Sequence, residues 1–362
     1  MFWGLLFIIL FSLMCTGLVY LGKKIKGVSL IKKLTDKSKA AGIILPAVIV
    51  ILITSLCVIA FKMFAAIVVL LHLILIWLLC DLISFIIKKL WKKTVKADIT
   101  AIAAVLLTAI YLGIGWYYAH HVFETAYTIQ TDKLDEPLRI VAIADSHLSV
   151  TLDGEAFASE LERIEALSPD VLFIVGDLVD DDSDKEDMIF ACEALGEFEA
   201  THGVYYVYGN HDKGYSDSIE FSDEELRKAL TDNGVTILED DVIDIGDKLR
   251  IIGRKDRSDD ERNTMDMFAE NPDDRYTIVL DHQPNNYDAQ EKSGVDLVIS
   301  GHTHGGHIFP AGFVGLLIGA NDKVYGHEKR GNTDFIVTSG ISGWAIPFKT
   351  GCISEYIVID IE

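Results

Sequence analysis

The chain has 362 residues, half of them hydrophobic, and a formal net charge of −22. Residues 1–118 hold 13 Lys, no Arg and only Asp36, Asp81 and Asp98 as acids, a net of +10; the other 19 Lys and Arg face 51 Asp and Glu in residues 119–362, a net of −32. The acidic half argues against nucleic acid as a partner, because backbone binding needs a cationic face, and five cysteines without a CxxC pair indicate neither a disulfide framework nor a thiolate zinc site.

Residues 2–22 are uncharged and long enough to cross a bilayer. They have neither a basic start nor a small-residue cleavage site, so they read as a retained span and not as a signal peptide. Residues 41–87 are apolar apart from Lys62, His72 and Asp81. As one helix they would run about 70 Å, against a hydrocarbon core of about 30 Å, and the polar break at Phe61-Lys62-Met63 is where they fold back. The expectation is therefore a membrane region over 1–118 with four helices, at 2–22, 41–61, 64–87 and 99–118. Lysines crowd the first connection (Lys23, Lys24, Lys26, Lys32, Lys33, Lys37, Lys39) and the third (Lys88, Lys89, Lys92, Lys93, Lys96), while the second has Lys62 alone. Positive loops stay in the cytoplasm, which places the acidic half outside the cell membrane. Trp116, Tyr117 and Tyr118 fall where an aromatic belt belongs. Asp81 reads as a residue paired or hydrated near the inner face, and His72 as a hydrogen-bonding partner between helices.

A linker over 119–136 leads to the domain expected at 137–362. There, short β-branched runs alternate with amphipathic segments: strands at 139–144, 171–175 and 204–208, with helices at 155–167, 184–199 and 223–232. Strands at 235–238, 242–245 and 249–252 look like a meander, and further strands follow at 276–280, 295–299, 335–338 and 356–361. The pattern predicts an α/β class, a sandwich of mixed β-sheets flanked by helices. About twenty residues between the last span and the first core strand would keep this domain near the bilayer.

Five polar blocks each follow the carboxyl end of a predicted strand, the rim where open α/β sheets place ligands. They are Asp145-Ser146-His147, Gly176-Asp177-Leu178-Val179-Asp180, Gly209-Asn210-His211-Asp212, Asp281-His282, and Gly301-His302-Thr303-His304-Gly305-Gly306. Carboxylate and imidazole ligands without thiolate suit Mn, Fe or Zn in a hydrolytic site. In extended backbone, residues i and i+2 point the same way, so Asp145 with His147, and His302 with His304, can each present two ligands to one cavity. Asp177 could bridge two ions roughly 4 Å apart, a clamp for in-line phosphoryl displacement. Any one block alone is more often a turn or a hydrogen-bonded core histidine; five in order, each ending a strand, point to a metal site.

This series of blocks resembles the calcineurin-like metallophosphoesterase superfamily. The ending GHTHGGHIFP, then Tyr325-Gly326, then SGISGWAIPFKTGCISEYIVIDI, is similar to its bacterial membrane-associated branch of YkuE- and YaeI-type proteins. The resemblance covers about residues 137–362. It implies that Asp145, His147, Asp177 and His304 hold a first metal, and Asp177, Asn210, His282 and His302 a second, with Asp177 shared. It further implies that His211 protonates the leaving group or steadies the phosphoryl oxygens, that Asp212 orients His211, and that Asp180 supports the ligands from behind. His307 stands where the branch often has Gln, open to substrate contact or to capping its loop, and Phe348-Lys349 where relatives often carry Arg.

The function expected is metal-dependent hydrolysis of a phosphodiester, phosphomonoester or pyrophosphate, of a membrane lipid or cell-envelope polymer, by a protein held in the lipid bilayer. A metal-stabilised binding scaffold on the same fold is the alternative, and it predicts missing ligands or an absent His211. A transporter or sensor built on the helices is disfavoured, because those spans hold one acid and no polar stripe.

Overall fold

The structure, a computed structural model, describes residues 2–36, 38–214, 220–268 and 274–362; Lys37, one of the first-connection lysines, lies outside them. The chain divides into two compact units, Met1–Ile114 and Gly115–Glu362.

The first unit is helical: α1 (Phe2–Gly27), α2 (Ser29–Thr35), α3 (Ala41–Trp91) and the greater part of α4 (Ala97–His120). Among the described residues two helices, α3 and α4, are long and apolar enough to cross a bilayer, against the four spans expected. α3 counts as one element of 51 residues, yet its backbone leaves the helical region at Lys62 (φ 61°, ψ 178°), the point where the sequence parts its second and third spans. Asp81 accepts from the Tyr20 hydroxyl at 2.7 Å and pairs with Lys24. His72 does not bond between helices as expected; its Nδ1 meets the Val68 carbonyl of its own helix at 2.8 Å, while its ring packs on Tyr111.

The second unit runs β1 (Val122–Ile129), β2 (Leu138–Ile143), α5 (Gly154–Glu165), β3 (Val171–Val175), α6 (Lys185–Glu197), β4 (Val204–Val207), α7 (Asp223–Asp232), β5 (Thr236–Leu238), β6 (Asp241–Ile245) and β7 (Leu249–Gly253). It continues through β8 (Tyr276–Leu280), α8 (Tyr287–Ser293), β9 (Leu297–Ser300), α9 (Ala311–Leu317), β10 (Gly326–Arg330), β11 (Thr333–Val337) and β12 (Ser354–Ile361). The strands form two six-stranded mixed sheets, ordered β1-β12-β2-β3-β4-β5 and β10-β11-β9-β8-β7-β6. Within them β2 to β5 run parallel, as do β7, β8, β9 and β11.

The inner faces of both sheets share one core, in which Ile140, Phe173 and Val207 meet Ile278, Ile299 and Ile336. On the outer face of the first sheet α5, α6 and α7 close a second core around Phe157, Cys192 and Leu226. Tyr287, at the start of α8, stacks on Phe335 over the second sheet. Covered on both faces, β3 is buried at every position, which is why its sequence is continuously apolar and not alternating. α7 starts on a capping box, with Ser222 and Glu225 each serving the other's backbone N–H.

Two expectations need correction. The supposed linker 119–136 contains β1, whose alternating burial marks an edge strand paired in parallel with β12 over all eight residues. β1 therefore opens two residues after α4 ends, and the stretch of about twenty free residues does not exist. The meander is also wrong: β5 pairs in parallel with β4, while β6 and β7 form a hairpin in the other sheet. Short apolar runs reveal that strands exist, and give no information about which sheet receives them.

Candidate metal centre

All five blocks leave the ends of parallel strands at one rim of the sandwich. β2, β3 and β4 of the first sheet lead to Asp145, Asp177 and Asn210; β8 and β9 of the second lead to His282 and His302. The two sheets thus deliver ligand candidates to the same seam. Two groups form there, Asp145 with His147 and His304, and Asp177 with His282 and His302; within each, the candidate ligand atoms lie within 4.8 Å of one another. Asp177 Oδ2 sits between the groups, 3.6 Å from His147 Nε2 and 3.0 Å from His282 Nε2. Asn210 stands between two residues tied to Asp177: the His211 N–H donates to Asp177 Oδ1 at 2.8 Å, and Gly209 packs where a Cβ would strike that carboxylate.

The backbone does not present these pairs in extended form as expected. Asp145, His147, Asp177, His302 and His304 all have left-handed φ, of 54°, 35°, 54°, 69° and 48°. The turn keeps Asp145 and His147 together but sends His302 and His304 to different groups. Non-glycine residues in this region cost roughly 1–3 kcal/mol each and persist where surroundings over-determine them. Here the Asp145 N–H donates to the Gly176 carbonyl at 3.0 Å, and the His147 N–H to the Asp177 carbonyl at 3.1 Å. The His302 N–H donates to the Asp145 carboxylate at 3.0 Å.

The four rings divide in two: burial lowers the pKa of His302 and His304, while for His147 and His282 burial is outweighed by the Asp177 and Asp180 carboxylates, which raise theirs. His147 Nδ1 is 2.9 Å from Asp180 Oδ2, and His282 Nδ1 is 2.8 Å from the Val175 carbonyl, contacts that place the ring proton on Nδ1. The Nε2 atoms of both rings remain buried without a hydrogen bond. Burial pushes the His302 pKa down to about 4 and that of His304 well below its usual value, so both rings are neutral at physiological pH, as ligation requires. Burial raises the Asp145 carboxyl to about 6; for Asp177 burial acts the same way, but His282 and His147 outweigh it and hold the carboxylate below its usual range. Among the described residues, Asp145, Asp177 and Asp180 form ion pairs only with histidines. Buried carboxylates short of cations, facing lone imidazole nitrogens, fit a site for two divalent ions.

Other residues fall differently. His211 is half-buried, its ring 5.2 Å from that of His147 and 5.3 Å from Trp344, and burial lowers its pKa. Asp212 does not orient His211 as expected. It is buried and accepts the N–H groups of Asp177, Val179 and Gly209 at 2.8, 3.2 and 2.6 Å, so both oxygens serve the loops beneath Asp177. Lys349 is fully buried and gives its Nζ to the carbonyls of Ser339, Gly340 and Ile353, so it ties a loop and does not reach for phosphate. The His307 carbonyl takes the N–H groups of Thr350 and Gly351, which is the loop-capping role, while its ring stacks on His304.

Two contributors were missed. Trp344, 41% exposed, lies over His211, His147 and His304, and no spacing rule distinguishes it within its Gly-rich loop. Arg262 forks onto buried Asp281 at 3.0 and 2.6 Å, with Gln290 adding a bond at 2.8 Å, which anchors the start of the His282 loop.

A sequence profile of the calcineurin-like phosphoesterases matches residues 138–306. An uncharacterized metallophosphoesterase of Aquifex aeolicus is 30% identical over 248 residues, covering 65% of this chain and 90% of that protein. The uncharacterized metallophosphoesterase YkuE of Bacillus subtilis is 25% identical, over 75% of this chain and 97% of its own. A Danio rerio protein named as a transmembrane protein with metallophosphoesterase domain is 29% identical, over 63% of this chain and 54% of its own. The chain spans 60–62% of the length of three further relatives, from Helicobacter pylori and Campylobacter jejuni. Profile, relatives and rim agree: the chain belongs to the calcineurin-like metallophosphoesterase family.

Proposed function

We propose that this chain is a membrane-anchored phosphoesterase that works with two divalent metal ions. The observation that carries the reading is Asp177, set between two groups of buried carboxylate and imidazole. In this reading Asp145, His147, Asp177 and His304 hold one ion, and Asp177, Asn210, His282 and His302 hold the other. When bound, such a pair supplies a nucleophile from water at neutral pH and positive charge for the phosphoryl oxygens. The chain's own residues orient and donate. Asp180 and the Val175 carbonyl keep the Nε2 atoms of His147 and His282 turned to the centre. His211, beside Asp177 and half open to solvent, donates to a phosphoryl or leaving-group oxygen. Trp344 covers the same mouth and shields it from water.

Residues 122–362, β1 included, form the catalytic domain in this proposal, and residues 1–118 a multi-pass anchor of four spans with α3 divided at Lys62. Its lysine-rich connections face the cytoplasm, and the catalytic domain lies outside. The transmembrane naming of the Danio rerio relative and the two long apolar helices support membrane attachment. Mn, Fe and Zn all suit the ligand set. A substrate carried by the membrane or the envelope, a lipid-linked phosphodiester or pyrophosphate, fits that address.

The test uses the full chain in lipid nanodiscs with added Mn and bis(p-nitrophenyl) phosphate. Turnover is expected, with His211→Ala lowering kcat by about 10²–10⁴ and Asp177→Ala abolishing it. A protein that binds metal yet turns over nothing, across a panel of metals, is the scaffold and not the enzyme.

A further inference from the structure

Past His304 the chain passes through residues 308–321, IFPAGFVGLLIGAN, fourteen positions without a charge in a region whose net is −32. α9 lies in this stretch and buries none of its residues; Phe313 is 63% and Leu317 85% exposed. Contiguous exposed apolar surface on a soluble unit marks something that binds there.

The surface is not flat. A groove of about 430 Å³ lies between α9 and the loop that carries His304; Gly306, Phe309, Phe313 and Leu316 form its apolar side, and Asp322 and the Lys323–Glu328 ion pair stand in its wall. Loop and helix touch closely, since a Cβ on Gly306 (φ 82°) would lie 2.7 Å from the Gly312 Cα. The groove wall includes Gly305 and Gly306, the two residues that follow the ligand candidate His304. His304 stacks on His307 at 5.4 Å, and two residues on, Phe309 meets Phe313 edge to face at 6.1 Å.

We propose that this groove binds the alkyl chain of an amphiphilic phosphoester whose phosphate sits at the metal centre, an inference that rests on the phosphoesterase reading above. Three observations choose this occupant. Its volume is that of a small-molecule cleft, roughly 300–1,000 Å³. Its wall starts at Gly305, the residue after the ligand candidate His304, which puts groove and centre on one loop. The same chain carries helices long and apolar enough for a bilayer, where such amphiphiles reside.

The test compares two p-nitrophenyl phosphodiesters, one methyl and one octyl, with the full chain in nanodiscs, Mn present and the octyl ester below its micelle concentration. The octyl ester is expected to have a kcat/KM at least about tenfold higher, carried mainly by KM, because even one methylene in an apolar pocket is worth about that factor. In the Phe313→Ser/Leu316→Ser variant the ratio of the two esters falls towards one, with bound Mn measured as the check that the fold persists. Octylphosphonate and methylphosphonate, used as inhibitors of bis(p-nitrophenyl) phosphate turnover, repeat the comparison without a substitution and should differ as strongly.

A ratio near one in the wild type, or no advantage for octylphosphonate, overturns the inference. A high ratio that survives in the variant also overturns it, since the preference then comes from the lipid disc. A variant that changes the oligomeric state and not the ratio makes the face a contact between copies, which again overturns it. Failure to turn over bis(p-nitrophenyl) phosphate at all removes the phosphoesterase reading and this one with it. Turnover of that ester without chain-length preference removes this one alone.

Discussion

Asp212 shows how much a single side-chain direction changes its role. Its place in Gly209-Asn210-His211-Asp212 invites a catalytic assignment, yet both of its oxygens are spent on the N–H groups of Asp177, Val179 and Gly209. Burial first, and then the nearby Asp177 carboxylate, raise its pKa to about 6, against the pull of the N–H groups it accepts. Asp212→Ala leaves three buried donors without an acceptor, each worth about 1–3 kcal/mol. We expect a loss of at least about 3 kcal/mol in denaturant unfolding, with weaker metal binding in step, and partial recovery in Asp212→Asn. Unchanged stability, with activity alone reduced, would restore the catalytic role. The identities of the ligand candidates were legible because Asp, Asn and His in this order at strand ends carry chemistry. What Asp212 and Lys349 do was not legible, because it depends on which backbone groups pass within reach.

At the scale of elements, the rim works because parallel strands from two sheets end together. β2, β3, β4, β8 and β9 were readable as buried apolar runs, and so the five blocks could be placed on strand ends. β1 escaped notice because an edge strand half open to solvent alternates apolar with polar positions and carries one charge, Glu124, although VFETAYTI is rich in β-branched and aromatic residues. The loops after these strands pack so closely that glycine is required in places. Gly301 follows β9, and a Cβ there would lie 2.5 Å from Asp145 Oδ2 and 2.6 Å from the Ala144 side chain. Gly301→Ala therefore pushes the β9 loop away from the β2 loop and separates His302 and His304 from their partners. Isothermal titration should show Mn affinity reduced by about tenfold or more, in the range of losses seen when support behind metal ligands is removed. Affinity equal to wild type would mean the two loops do not share a site.

For the whole molecule, the net changes from +10 to −32 near residue 119, and the chain divides into compact units at residues 114 and 115. Composition also motivates orientation: lysine-rich connections stay inside. A reporter active only outside the cytoplasm, fused after Glu362, should give signal, and a reporter active only inside should give none; the reverse pattern would place the catalytic domain in the cytoplasm. The number of spans was less legible: counting α3 twice at its Lys62 break gives three among the described residues, and the fourth expected span, 2–22, is not among the two helices long and apolar enough. The central claim is a two-ion centre joined by Asp177, and counting metal tests it most directly. Mn bound per full-length chain in nanodiscs, measured by mass spectrometry after removal of free ion, should be two, and Asp177→Ala should lose both ions at the same free Mn. One ion or none in the wild type, or two retained in Asp177→Ala, would contradict it.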